Sequence, residues 1–313
     1  VVWKDAADAG QSNWLKPLSF EVNTWPWNAP HTWIDPDGPG GRPGVGFAYG
    51  GRIQGNDADW LWILAPADGP YRWQWKRKRS QAPGPIAQNR NGAVAAGSCA
   101  YIFGGSRSGQ PSRAVWRYNV TTETWKRMAD MPVASAWNAA SYDPRLNLAV
   151  VVAGSDDRVL VYDLEEDRWQ DVSERANLPN VSQPAAAYAN GQHYIMGRGW
   201  DRDGDGQIST RTRNDLWAIT LTAARYDPPN YELRKQPRDL GKAPQPPLKH
   251  IEWEWDPGTK RYWTAGGDWQ SPGGHGNSAS QEIYSYDPAA DEWHKEKPYC
   301  VGPDGLTWYH PDE

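Results

Sequence analysis

The stretch "AYIFGGSRSGQPSRAVWRYNVTTETWKRMADMP", residues 100–132, decides the fold. It opens as a short apolar strand that closes on Gly104-Gly105 and continues into a variable polar loop. An aromatic strand follows, closing on Tyr118-Asn119, then a short polar turn, then a further strand opened by Trp125. Runs of alternating or continuous apolar residues bounded by Gly, Pro, Asn and Asp read as strands separated by tight turns.

The same order returns along the chain, and self-similarity at a period of about 50 residues changes the reading of the whole architecture. "LAVVVAGSDDRVLVYDLEEDRWQDV" begins at Leu148 and "YWTAGGDWQSPGGHGNSASQEIYSYDPAADEWHKE" at Tyr262. Looser copies start at Val45 and His193. Between copies lies one more strand, seen as "GAVAAG" at Gly92, "NAASYDP" at Asn138, "PAAAYAN" at Pro184 and "IEWEWDP" at Ile251. Each unit is therefore four short strands, and four-stranded sheets repeated along a chain are the blades of a β-propeller.

The residues that recur resemble the kelch repeat. They are Gly50-Gly51, Gly104-Gly105 and Gly266-Gly267 after the second strand; Tyr118, Tyr162 and Tyr286 closing the third; and Trp73, Trp125, Trp169 and Trp293 opening the fourth. The resemblance implies an all-β, kelch-type propeller in a single domain spanning residues 1–313. Its five recognisable four-stranded blades run over about 33–79, 86–128, 137–172, 184–235 and 248–297. The third and fourth units depart from the pattern, with "AGS" at Ala153 and "GRG" at Gly197 in place of the double glycine. "VVWKDA" at Val1 matches a fourth strand and "GLTWYHPDE" at Gly305 a first strand. They imply a sixth blade, incomplete or composite, built from residues 1–6 and 305–313, with either a chain excerpted from a longer one, the preferred expectation, or residues 7–32 filling its middle irregularly.

Composition agrees with strands and turns. The chain holds 31 Gly, 27 Pro, 21 Trp and 15 Tyr but only three Phe and three Met. Large rings are expected to fill the space between adjacent sheets, so the repeat tryptophans read as structural. A formal charge of -5 lacks the positive field of a nucleic-acid binder. The cationic run Lys76–Arg79 reads as an exposed strand end, and no apolar run of about 18 residues is present to span a membrane. Two cysteines, Cys99 and Cys300, make no disulfide framework.

Function-bearing candidates gather on the loops between second and third strands. "DRDGDGQIST", residues 201–210, sits in that loop of the fourth blade. It matches the start of an EF-hand or dockerin-like calcium loop: Asp201, Asp203 and Asp205 as carboxylate ligands, Gly206 for the turn, the Gln207 carbonyl, and Ile208 as the apolar anchor. Thr212 stands where that loop carries a bidentate Glu, so Asp215 or another loop is expected to complete the oxygen shell around Ca2+. A weak calcium site fills where calcium is millimolar, which implies an extracellular or cell-surface location. Arg52, Arg107, Arg113, Arg211 and Arg213, with Trp200, Trp269 and His275, form the candidate ligand-binding set. Arginine forks and aromatic faces suit a carboxylate-bearing or glycan ligand.

No paired carboxylates, nucleophile elbow or metal triad stands at a diagnostic spacing. The expectation is thus a recognition or assembly module that offers its loops to a protein or glycan partner within a larger assembly. The competing expectation is a carbohydrate-active enzyme, of lyase or epimerase type, with its site at the central mouth.

Overall fold

The computed structural model describes residues 29–35, 44–53, 56–66, 73–80, 84–86, 88–156, 158–176, 178, 182–198, 200–202, 208–212, 215–223, 231–238, 248–249, 254–256, 258–265, 268–270, 277–279, 283–290 and 292–296. The two segments expected to form a sixth blade, 1–6 and 305–313, lie outside them.

Among the described residues the chain forms five four-stranded antiparallel sheets, each a meander in chain order. The first blade runs His31–Ile34, Val45–Tyr49, Trp60–Pro66 and Trp73–Arg79; the second, Gly92–Ala96, Cys99–Phe103, Val115–Asn119 and Thr124–Met128. The third runs Ala139–Asp143, Leu148–Ala153, Arg158–Asp163 and Arg168–Asp171. The fourth runs Ser182–Ala189, Gln192–Arg198, Asp215–Ala223 and Tyr231–Arg238, and the fifth, Glu254–Asp256, Arg261–Ala265, Ile283–Asp287 and Glu292–Glu296. The first strand of each blade touches the first strand of the next, from His31–Ile34 through to Glu254–Asp256. Succession of innermost strands is what arranges sheets around a common axis, so the fold is an all-β propeller.

The core is a series of layers, each lying between two blades. Phe47, Tyr49 and Leu61 pack on Ala100, Ile102 and Tyr118, joining the first blade to the second. Tyr101, Phe103 and Val115 then meet Ala149, Val151, Leu160 and Tyr162. Leu148, Val150 and Val152, on the opposite side of the same strand, meet Ile195 and Ile219 of the fourth blade. This explains why "LAVVVA" is apolar at every position: a strand buried on both faces has no side left for water. Tyr194 and Leu216 continue the series onto Tyr262 and Tyr286.

The repeat aromatics act as wedges. Tyr118 pairs directly across from Trp125, Tyr162 from Trp169 and Tyr286 from Trp293, with ring centroids 4.8, 4.6 and 5.1 Å apart. Trp125 reaches back to Tyr49 at 5.2 Å, and Trp169 reaches back to Phe103 at 5.6 Å. The Trp169 indole also donates to the Ala129 carbonyl at 3.0 Å, satisfying its one polar atom. Trp73 begins the outer strand of the first blade, opposite Pro66.

The residue after each repeat tyrosine closes the following turn. Asn119 Oδ1 accepts from the amides of Thr121 and Thr122, Asp163 Oδ1 from Glu165 and Glu166, and Asp287 Oδ1 from Ala289 and Ala290. Such Asx turns are the local reason the motif requires Asn or Asp there.

Candidate functional site

One face of the propeller is formed by the loops between second and third strands together with the connectors between blades. The loops are small ribbons: Arg52–Ile53 with Asn56–Asp57, Ser106–Arg107 with Gln110–Pro111, and Trp200–Arg202 with Ile208–Thr212. In the fifth blade Asp268–Gln270 pairs with Asn277–Ala279 and also with the connector strand Leu248–Lys249.

Backbone hydrogen bonds stitch these ribbons to the connectors. Gly51 donates to the Gln88 carbonyl at 2.9 Å, Asn89 and Ser106 bond each other reciprocally at 3.0 and 2.7 Å, and Gly105 donates to the Ser135 carbonyl at 2.9 Å. The double glycine makes this approach possible. Gly104 and Gly105 hold φ of +59° and +98°, and a Cβ on Gly104 would sit 2.4 Å from Asn138 Nδ2 and 2.7 Å from the Ser135 carbonyl oxygen. Only glycine meets both demands. In the third blade, where the sequence has "AGS", Gly154 does the same work by proximity alone: its Cβ would lie 2.1 Å from the Trp137 carbonyl oxygen.

Side chains tighten the clasp. Asp57 accepts from Asn89 Nδ2 and from the Ser108 amide, tying the first blade's ribbon to the second's, while Arg52 Nε lies 3.9 Å away. Ser135, fully buried, shares a 3.0 Å hydrogen bond with Ser155, and the Ala136 amide donates to Ser155 Oγ at 2.9 Å.

Two residues on this face stand out. Arg90 and Trp137 occupy equivalent places, each two residues before the inner strand of its blade, and each holds left-handed backbone at φ +61° and +58°. Such a conformation is strained for side chains of this size and marks a position fixed by its surroundings. The following asparagines do the fixing: Asn91 Nδ2 donates to the Gly104 carbonyl at 2.7 Å, and Asn138 Nδ2 to the Phe103 carbonyl at 3.1 Å. The Arg90 guanidinium lies 4.0 Å from the centre of the Trp137 ring, a cation–π stack. Burial, with the charge of Arg52, lowers the pKa of Arg90 from the ordinary arginine value.

Of the ligand-binding set expected from sequence, Arg52 and Arg107 are exposed on their ribbons, and Arg113, also exposed, is anchored by its Nε donating to the Met131 carbonyl at 2.7 Å. Trp200, Asp201, Arg211, Asp215 and Trp269 fall on strands Trp200–Arg202, Ile208–Thr212, Asp215–Ala223 and Asp268–Gln270. Asp203, Asp205, Gln207, Arg213 and His275 lie outside the described residues. Arg90 and Trp137 were missed. Their signal was present as the short repeat "RNG" and "WNA", each opening an inner strand.

The opposite face carries a second polar network, built as a latch. The Asp143 carboxylate, fully buried, accepts from Arg145 Nη2 at 2.7 Å and from the Tyr188 hydroxyl at 2.8 Å, joining the third blade to the fourth. Burial alone would raise this carboxyl, but the Arg145 and Tyr188 hydrogen bonds outweigh it and hold the pKa below the ordinary value. Beside it His193, fully buried, shares a 2.8 Å hydrogen bond between Nδ1 and Ser141 Oγ. Burial pulls its pKa down to about 3, so the ring is neutral at pH 7.

Comparison with known proteins bears on the second blade. No curated protein matches the chain. A family model described as the kelch motif matches residues 89–132, which run from the Asn89 connector through the four strands of that blade to Pro132, and the match fits a kelch-type propeller.

Proposed function

We propose that this chain is a recognition or assembly module that docks a protein partner on the face formed by its ribbons and blade connectors. The observation that carries this reading is the stitching of that face: backbone hydrogen bonds from Gly51, Asn89, Ser106 and Gly105 hold loops and connectors as one surface before any partner arrives. A preorganised surface gives up little conformational freedom on docking, so more of the contact energy appears as affinity. Ile86 on the first connector is 54% exposed, Trp137 is half-buried beside Arg90, and Arg52, Arg107 and Arg113 are exposed on the same face. Apolar and aromatic anchors ringed by arginine are the residue types enriched in protein interfaces. The kelch motif, a protein-interaction repeat, supports the same reading.

Within this reading the loop at 201–207 binds Ca2+ through Asp201, Asp203, Asp205, the Gln207 carbonyl and Asp215, and the module works outside the cell, where a weak calcium site fills. The support is the residue pattern, and the strands on either side of it, Trp200–Arg202 and Ile208–Thr212, pair antiparallel. Calcium there would stiffen one sector of the docking face.

The test is a positional photo-crosslinking scan in the native host. Crosslinkers at Ile86, Arg107 and Arg113 should capture one discrete partner protein, whereas crosslinkers at Ser98, Thr121 and Glu165, on turns of the opposite face, should not. Capture from the opposite face alone would refute the assignment.

A further inference from the structure

We propose that the outer edge of the first blade, strand Trp73–Arg79, is a second docking surface that takes an extended acidic segment of a partner protein as an added β-strand. This strand ends its sheet: among the described residues it pairs with Trp60–Pro66 on one side and with no strand on the other. The pairing runs unbroken over all seven residues, without a bulge or a proline. The other outer strands are shorter or interrupted. Those of the second, third and fifth blades span five, four and five residues, and that of the fourth blade carries Pro237. A long, regular edge offers a row of open main-chain groups to another strand, and proteins close such edges with bulges, proline or charge. Among the described residues, charge alone does so here.

The phase of the hydrogen bonding fixes which groups are open. The Ser80 amide donates to the Asp59 carbonyl at 2.8 Å, so in regular antiparallel alternation residues 74, 76 and 78 turn their amides and carbonyls toward the neighbouring strand. Residues 73, 75, 77 and 79 turn theirs outward. Lys76, Arg77, Lys78 and Arg79 follow one another with no acidic residue on the strand, and they lie opposite Ile63, Trp62, Leu61 and Trp60, which carry no charge. Lys76 is exposed. The inner side of the ladder thus supplies no opposite-charge neighbour, and the open edge is where one can be added. On a chain of net charge -5, this run favours an anionic partner and repels the same edge of a second copy. Alternation then decides between anions. Successive strand residues fall on opposite faces of the sheet, so 76 and 78 share one face and 77 and 79 the other. A rod-like polyanion laid on either face meets half of the run. An acidic strand added at the edge alternates in step with the run and meets all of it, while its main chain bonds residues 75, 77 and 79.

The experiment uses the full chain and a labelled peptide, acetyl-VEEEEV-amide, followed by fluorescence anisotropy. Binding should saturate and weaken as salt rises. N-methylation of the glutamate amides of the probe keeps every charge but removes the ladder donors, and should weaken binding at least about tenfold. Lys76→Glu with Lys78→Glu, and Arg77→Glu with Arg79→Glu, should each weaken it at least about tenfold, because each pair empties one face. With all of these positions changed to Glu, the edge should instead bind acetyl-VKKKKV-amide, a gain that a misfolded variant cannot show. Bound peptide should slow amide exchange at Trp75, Arg77 and Arg79 and leave Gln74, Lys76 and Lys78 unchanged. Binding that survives N-methylation, or that responds to only one pair of substitutions, would overturn strand addition. A heparin oligosaccharide of equal charge that binds more tightly than the peptide would overturn it too, and would make the edge a polyanion patch. Without saturable binding the run is a solvated strand edge and the proposal falls. Crosslinks from the ribbon-and-connector face stand or fall separately from all of these outcomes.

Discussion

Tyr162 and Trp169 face each other across the two outer strands of the third blade, ring centroids 4.6 Å apart, and together they meet Phe103 of the second blade at 5.7 and 5.6 Å. One cross-strand pair thus serves both as a sheet contact and as the wedge between blades. Trp169→Ala should cost about 3 kcal/mol in urea unfolding. A double-mutant cycle of Trp169→Ala with Tyr162→Leu should return a coupling of about 1 kcal/mol. Strictly additive losses would show that the two rings do not work as a unit.

The double glycine gives a sharper contrast. Gly104→Ala must place a methyl group 2.4 Å from Asn138 Nδ2 while keeping φ at +59°, and should lose about 2–4 kcal/mol of stability. Gly97 has a similar φ of +53° but open space around it, so Gly97→Ala should lose only about 1 kcal/mol. Chemical denaturation of the two variants side by side checks the difference, which isolates the close approach of loop to connector from backbone strain.

His193 sets an acid sensitivity. Folded, its pKa is about 3; unfolded, it returns to about 6.5, so below pH 6.5 the unfolded chain binds a proton that the folded chain does not. Stability from this group is complete above pH 6.5 and falls by up to about 1.4 kcal/mol per pH unit as pH drops toward 3. Asp143 acts lower: its folded pKa is depressed, so its contribution is present above its unfolded value near 3.9 and is lost as pH falls through the folded one. Urea midpoints between pH 7 and pH 4.5 should therefore decline in the parent protein and decline less in His193→Gln. Parallel slopes would remove His193 as the cause.

Calcium should raise the thermal midpoint of the chain, and the rise should saturate at about millimolar concentration. Asp203→Ala with Asp205→Ala should abolish the rise while leaving the midpoint measured in chelator unchanged. An identical shift in the double variant would show that the ion acts elsewhere.

Much of the propeller was legible because its repeat residues act locally or between neighbouring sheets. Tyr-Asp or Tyr-Asn marks a strand end that caps its own turn, a cross-strand Trp follows at fixed distance, and Gly104-Gly105 marks a bend no other residue can make. That the continuous apolar run at Leu148 is a strand buried on both sides became clear only from the blades packed against it. The candidate site was less legible. Arg52, Arg107 and Arg113 were found by counting arginines on loops, a criterion blind to which guanidinium has its hydrogen bonds satisfied. Arg90 was passed over because it stands in a connector, and its meaning depends on Trp137, 47 residues away and brought alongside only by the turn from one blade to the next. The latch of Asp143, Arg145 and Tyr188 was hidden for the same reason.

Amide hydrogen exchange on the complex with the crosslinked partner tests the docking face most directly. Partner binding should slow exchange in 51–57, 88–91, 105–114 and 135–138, and leave the opposite turns at 97–98, 120–123, 144–147 and 164–167 unchanged. Protection confined to those opposite turns would contradict the assignment of the ribbon-and-connector face as the place where this propeller meets its partner.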